Sequence, residues 1–258
     1  MKVLYYPGCS SEHLARDFYL SIEALASFLA LELEPLPDWN CCGAREIEEA
    51  PEGVGLFLAS RNLALASGKE LLVTCSLCFH NLKRAQNILR ENPIWRSRMA
   101  EVLKDEGLEL SPDLPRILSL TEFLTRIDFS RFRSPHFRGF PVAVYYGCFL
   151  SRPYPTDLQA LEKVLSAAGY PVIPTTLKTH CCGGHLPRTD SPVIKNLCRR
   201  LLFEARQKNA SGLAVACPVC KLNLEIYGDP PFPVRYFTQY LGLALGISPS
   251  WLGIPEEE

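Results

Sequence analysis

Charge of one sign is what this chain lacks most plainly. Lys and Arg number 27 against 28 Asp and Glu, a formal net charge of −1 over 258 residues. That balance gives no long-range pull toward nucleic acid or an anionic membrane surface. No stretch interleaves Lys and Arg with exposed-looking aromatics, so nucleic-acid binding is not expected. A secretory leader is missing too. MKVLYYPGCSSEHLAR has no apolar core followed by a small-residue cleavage site, which makes the cytoplasm the expected location. Long apolar runs are scarce. The longest charge-free stretch, Tyr236 to Ile254, contains Thr, Gln, Ser and Pro249. It reads as a buried C-terminal helix, with membrane contact peripheral at most. Two cofactor signatures are also absent. There is no Cys-x-x-Cys-x-x-Cys-x-x-x-Cys-Pro run of a ferredoxin module and no Gly-x-Gly-x-x-Gly for a flavin or nicotinamide.

Cysteine, by contrast, is plentiful at 11 residues. Without an export signal, such cysteines point to metal ligation or catalysis rather than to disulfides. Their order reveals a repeat. The first half carries Cys9, then Cys41-Cys42-Gly43, then Cys75-x-x-Cys78. The second carries Cys148, then Cys181-Cys182-Gly183, then Cys217-x-x-Cys220. The intervening gaps are 31 and 32 residues in one half and 32 and 34 in the other. The surroundings repeat as well: VLYYPGC with VAVYYGC, ELLVTCSLC with GLAVACPVC, LTEFL with FTQYL. A domain has been duplicated. The expected halves are residues 1–130 and 139–258, joined by the basic, Pro-containing SRFRSPHFRG segment.

Each lone cysteine and each Cys-x-x-Cys follows a short apolar run that reads as a buried strand: Val3 to Tyr6, Leu71 to Thr74, Val142 to Tyr146, Leu213 to Ala216. Helical stripes lie between them, Leu14, Phe18, Ile22, Leu25 and Leu29 in one half and Leu158, Leu161, Val164 and Leu165 in the other. Alternating strand and helix predicts an α/β fold. The expectation is two α/β halves with short parallel sheets, related by a pseudo-twofold axis, with cysteines gathered at the strand tips. The first half has an additional helical insertion at about 79–111, including a helix from Asn87 to Leu103.

Five cysteines per half fit neither tetrahedral zinc nor an ordinary 4Fe-4S cubane, each of which takes four. Adjacent cysteines diverge, so they suit two metal atoms or a bridging position. The glycine after each pair lets the backbone come close or take a positive φ. A cluster of several irons with a bridging thiolate fits this inventory best, with zinc in one half and paired redox disulfides as alternatives. Cys198, which has no counterpart and falls in the stripe Ile194, Leu197, Leu201 and Leu202, reads as core. His185 is a candidate proton donor to reduced sulfur, as are His80 and His180, against plain surface roles. Lys178, Lys221, Arg84 and Arg188 are candidates to face an anionic substrate, against a solvated face.

The motifs YYPGCS (5–10), DWNCCGA (38–44), TCSLCFHNLKRA (74–85), YYGCFLSRP (145–153), HCCGGHL (180–186) and CPVCKLNLE (217–225) cover nearly the whole chain. Together they resemble the duplicated cysteine-rich CCG domain of the B-type subunit of heterodisulfide reductase, and of the related E-type subunit of some succinate and fumarate dehydrogenases. This resemblance implies two noncubane 4Fe-4S clusters. Cys9, Cys41, Cys42, Cys75 and Cys78 would hold one, and Cys148, Cys181, Cys182, Cys217 and Cys220 the other. It further implies an oxidoreductase component that reduces a small disulfide at the paired clusters. Electrons would come from a ferredoxin-like iron-sulfur (C-type) subunit fed by a flavoprotein (A-type) subunit, with residues 79–111 and the charge-free C-terminal segment as candidate docking surfaces. The alternative it carries is an E-type subunit passing electrons to quinone.

Overall fold

A computed structural model describes residues 1–9, 15–43, 53–186 and 191–255. Two four-stranded sheets organise them. β1 (Lys2–Tyr6), β2 (Glu32–Pro35), β3 (Leu71–Val73) and β4 (Ile117–Ser119) form the first, in the order β2-β1-β3-β4. β5 (Val142–Tyr145), β6 (Val172–Ile173), β7 (Gly212–Val215) and β8 (Val234–Tyr236) form the second, in the matching order β6-β5-β7-β8. Every neighbouring pair is parallel. β3, β5 and β7 are buried along their whole length, which is why their sequences are unbroken apolar runs rather than alternating ones. The α/β class and the duplicated parallel sheets read from the sequence are those of the structure.

By packing, the described chain forms two compact units, Met1–Cys9 with Leu31–Leu120, and Ser10–Ala30 with Thr121–Glu258. In the first, α2 (Val54–Leu65), α3 (Ser76–Glu91) and α4 (Pro93–Asp105) accompany the sheet. The short α5 (Leu120–Leu124) follows β4 directly and, from Thr121 on, belongs to the second unit. In the second unit, α6 (Ala160–Ala167), α7 (Ser191–Gln207), α8 (Pro218–Tyr227) and α9 (Phe237–Leu245) accompany the sheet. α1 (Arg16–Phe28) belongs to this second unit although its sequence lies in the first repeat. Of the predicted stripe, Phe18, Ile22 and Leu25 are buried, Leu29 at the C-cap is half-buried, and Leu14 lies outside the described residues. Phe18 stacks on Tyr236 at 4.3 Å between ring centroids, and Ser21 shares a 2.6 Å hydrogen bond with Thr238. The basic segment at 130–139 also falls within this unit, tied down by Ser134 N–H donating to Ala244 O at 2.9 Å.

One element departs from expectation. The helix read from Asn87 to Leu103 is the end of α3 and the body of α4, with a break at Asn92. Pro93 has no N–H and disfavours helix in the residue before it. Asn92 is accordingly extended, and its side chain accepts from the N–H groups of Ile94 and Trp95, both at 3.1 Å. α3 starts after Cys75 just as α8 starts after Cys217, so its first turns have a counterpart. Its last turns and α4 do not. The charge-free C-terminal stretch is, as expected, a buried helix, α9, followed by a 3₁₀ turn at Pro249–Leu252. No described helix is long and apolar enough to cross a membrane.

Candidate metal centres

In an open parallel sheet, ligands gather outside the carboxyl ends of the strands where the strand order reverses. Here that point lies between β1 and β3, and between β5 and β7. The loop after β1 carries Cys9, the loop after β2 carries Cys41 and Cys42, and Cys75 follows β3. Cys148, Cys181, Cys182 and Cys217 take the same places after β5, β6 and β7. Cys75 and Cys217 are the N-cap residues of α3 and α8, which puts Cys78 and Cys220 in the first turn. The free N–H groups and positive dipole end of a helix are a ready place for negative charge.

The sulfur atoms repeat in detail. Cys9 Sγ lies 3.8 Å from Cys41 Sγ, and Cys148 Sγ lies 3.8 Å from Cys181 Sγ. Cys42 and Cys78 approach to 3.3 Å, as do Cys182 and Cys220. Gly43 N–H donates to Cys41 Sγ at 3.3 Å and Gly183 N–H to Cys181 Sγ at 3.2 Å. Both glycines have positive φ, +74° and +81°. The residue before each lone cysteine is glycine for a steric reason as well. A Cβ on Gly8 would stand 3.3 Å from Cys78 Sγ, one on Gly147 3.1 Å from Cys220 Sγ, and both have φ in the left-handed region. All eleven cysteines are free thiols.

Crowding sets the electrostatics. The hydrogen bond to Cys42, then that to Cys75 and burial, push the Cys78 thiol far up. Cys220 is pushed up in the same way by Cys182, Cys217 and burial. Cys75 and Cys182 go the other way, held below the ordinary thiol value by their hydrogen bonds with Cys78 and Cys220. Cys181 falls to about 5, first through the hydrogen bond from Cys148, then through Gly183 N–H and His185. Five thiolates at once would repel one another strongly unless a cation lay among them. Soft thiolates in excess of four suit a thiolate-held multi-iron centre better than a lone tetrahedral zinc. Among the described residues no group of three His, Cys, Asp or Glu side chains is arranged to hold a single metal ion.

The other candidates are placed as follows. Cys198 is fully buried on α7, its Sγ 3.6 Å from Cys182 O, and burial, then the Cys182 and Cys181 thiols, push it up to about 12. His185 is exposed with Nδ1 3.5 Å from Cys181 Sγ, His180 is exposed, and His80 is half-buried on α3. Lys178 pairs with Glu162 at 2.5 Å and donates to Leu158 O at 2.8 Å. Lys221 pairs with Glu225 at 2.6 Å and Asp17 at 3.2 Å, so both lysines are engaged within the protein. Arg84 is exposed and Arg188 lies outside the described residues.

Two pairs of residues join the site that sequence reasoning does not single out. Tyr6 donates its hydroxyl to Asn40 O at 2.7 Å, and Tyr145 donates to His180 O at 2.6 Å. Burial, and after it the four surrounding thiols, push both phenols well up. Asn81 donates to Cys42 O, and Asn223 to Cys182 O at 3.1 Å. The signal is present in the repeat itself, as Tyr before each Gly-Cys loop and as Cys-x-x-Cys-x-x-Asn-Leu in both halves.

Comparison with known proteins finds one domain twice in the chain. The CCG cysteine-rich domain matches twice, at residues 3–83 and 142–225. The chain is 27% identical to the 8-methylmenaquinol:fumarate reductase membrane anchor subunit of Wolinella succinogenes, covering 97% of this chain and 94% of that protein. It is also 27% identical to the B-type subunit of the ferredoxin/F420H2-dependent CoB-CoM heterodisulfide reductase of Methanosarcina acetivorans, over 99% of this chain and 93% of the other. Among solved structures, a hypothetical protein from Helicobacter pylori superposes with a TM-score of 0.76 at 17% identity. That match takes in 97% of this chain but only 50% of the other, so the present chain spans half of that structure's length.

Proposed function

The chain belongs to the CCG cysteine-rich domain family, and from that premise we propose that it is the iron-sulfur subunit of a disulfide reductase-type complex. Cys9, Cys41, Cys42, Cys75 and Cys78 hold one noncubane 4Fe-4S cluster. Cys148, Cys181, Cys182, Cys217 and Cys220 hold the second. The observation that carries this reading is the repetition of one five-thiol arrangement, with matching sulfur separations, at the switch point of each sheet. Bound clusters of this kind would pass electrons on and supply iron for the sulfur chemistry. The chain's own residues do the rest. The α3 and α8 N-termini present free N–H groups and a positive dipole end to the negative charge of a thiolate-held cluster. Gly8 and Gly147 let the lone-cysteine loops close over Cys78 and Cys220.

The overall reaction is RSSR′ plus two electrons and two protons giving RSH and R′SH. A ferredoxin-like protein and a flavoprotein of the same complex supply the electrons. The similarity to a fumarate reductase subunit favours a second reading, in which an E-type subunit passes electrons to quinone. The two are separated by supplying the anaerobically purified chain with reduced viologen and identifying its co-purifying subunits. Disulfide-dependent viologen oxidation, with a ferredoxin-like protein and a flavoprotein bound, supports the first. Quinone-dependent oxidation with dehydrogenase subunits bound, and no thiol formed, supports the second and defeats the first.

A further inference from the structure

The vicinal cysteine loops are anchored quite differently in the two units. In the first, Asn62 accepts from Asn40 N–H at 3.1 Å and donates to Asn40 O at 3.0 Å, while Arg61 grips Asp38 O at 2.6 Å. In the second, the Glu204 carboxylate accepts from Thr176 N–H and hydroxyl, both at 2.7 Å, and from Leu177 N–H at 2.9 Å. Amide and guanidinium chemistry in one unit has become carboxylate chemistry in the other. Against that rebuilding, one set of contacts is unchanged. Tyr6 and Tyr145, the last residues of β1 and β5, donate to the carbonyl just before Cys-Cys. Asn81 and Asn223, three residues after the last cysteine of each Cys-x-x-Cys, donate to the carbonyl of the second vicinal cysteine. Tyr6, Tyr145, Asn81 and Asn223 are 0%, 1%, 6% and 9% exposed.

The bracket links all three cysteine-bearing loops. Tyr comes from the end of β1 or β5, just ahead of the loop that carries the lone cysteine. Asn comes from the helix that begins at Cys-x-x-Cys. Both close on the loop after β2 or β6. Asn223 Nδ2 also lies 3.9 Å from Cys182 Sγ, within range of a weak N–H···S contact. Donors to cluster sulfur, and the placement of ligands by their neighbours, are among the levers by which a protein sets a reduction potential.

We propose that Tyr6 with Asn81, and Tyr145 with Asn223, are positioning residues, one bracket for each centre, fixing the vicinal cysteine pair relative to the other three sulfurs and thereby tuning that centre alone. This rests on the reading that each five-cysteine set holds an iron-sulfur cluster. The bracket recurs around both vicinal pairs while other anchors of those loops differ, so its role belongs with what the cysteines bind.

The test uses the full chain, purified anaerobically, with Cys182→Ser and Cys42→Ser backgrounds that each leave one centre to be read. Tyr6→Phe, Asn81→Leu, Tyr145→Phe and Asn223→Leu are compared by redox titration with electron paramagnetic resonance. Tyr170→Phe is the control. It removes a buried 2.8 Å hydrogen bond to Tyr240 O, away from any cysteine. Tyr6→Phe and Asn81→Leu should alter the potential and resonance of the first centre and leave the second untouched. Tyr145→Phe and Asn223→Leu should do the reverse, with Asn223→Leu shifting to lower potential as a donor near sulfur is lost. Tyr170→Phe should lower the thermal midpoint while both signatures stay as in the wild type. If either leucine variant fails to fold, the two Tyr→Phe variants decide. Unchanged signatures in a loaded protein, or changes that Tyr170→Phe reproduces, overturn the inference and leave the iron-sulfur reading standing. A wild-type chain without iron and sulfide overturns both.

Discussion

Cys182 and Cys198 are both buried thiols in the second unit, 3% and 0% exposed, and they are opposite cases. Cys182 is held below the ordinary thiol value by its hydrogen bond with Cys220. Cys198 is held protonated by burial, with its Sγ on a main-chain carbonyl. Cys182→Ser should therefore lose roughly half of the bound iron, one of two thiolate-held clusters. Cys198→Ala should keep all of it, and iron per chain measured by plasma emission distinguishes the two. Glu204 gives a pH-dependent expectation. Burial pushes its carboxyl up, but the donors Thr176 and Leu177, with Lys208, outweigh it and hold the group below its usual value. A lowered folded pKa contributes stability that is whole above the unfolded value of about 4.3 and disappears as pH falls through the folded one. Glu204→Gln should cost about 2 kcal/mol at neutral pH, a difference that shrinks in denaturant titrations below about pH 4. At this scale the ten paired cysteines are legible because spacing alone reveals them. Tyr6, Tyr145, Asn81 and Asn223 are not, because their partners are main-chain carbonyls 34 to 41 residues away.

β3, β5 and β7 are readable because burial on both faces makes the run continuously apolar, whereas the short and mostly buried β4 and β8 are not singled out by the sequence. β2 and β6, four and two residues long and mostly exposed or half-buried, carry no such signal and escape a sequence reading. The break between α3 and α4 is written in Asn92-Pro93, but the apolar periodicity continues across it and conceals it. Asn92→Ala should cost about 1 kcal/mol, the usual loss for an N-cap side chain. Equilibrium urea unfolding would show it as a lower midpoint with unchanged slope. The site should tolerate this, since α4 lies beyond the part of α3 that begins at the cysteines.

At the scale of the whole molecule, the repeat in the sequence and the units in space divide the chain differently. The first-repeat helix α1 completes the core of the second unit through Phe18 on Tyr236 and Phe237. Periodicity announces the helix but not its destination, because an apolar stripe does not say which core will cover it. Phe18→Ala should cost about 3 kcal/mol or more by chemical denaturation, as truncation of a buried aromatic does. The surfaces proposed for partner proteins, residues 79–111 and the C-terminal stretch, include Ile94 and Trp251, 66% and 69% exposed. The most direct measurement is iron and acid-labile sulfide per chain after anaerobic purification. The account predicts about eight irons, four for each of two clusters, with sulfide to match. One or two zincs and no sulfide would contradict it.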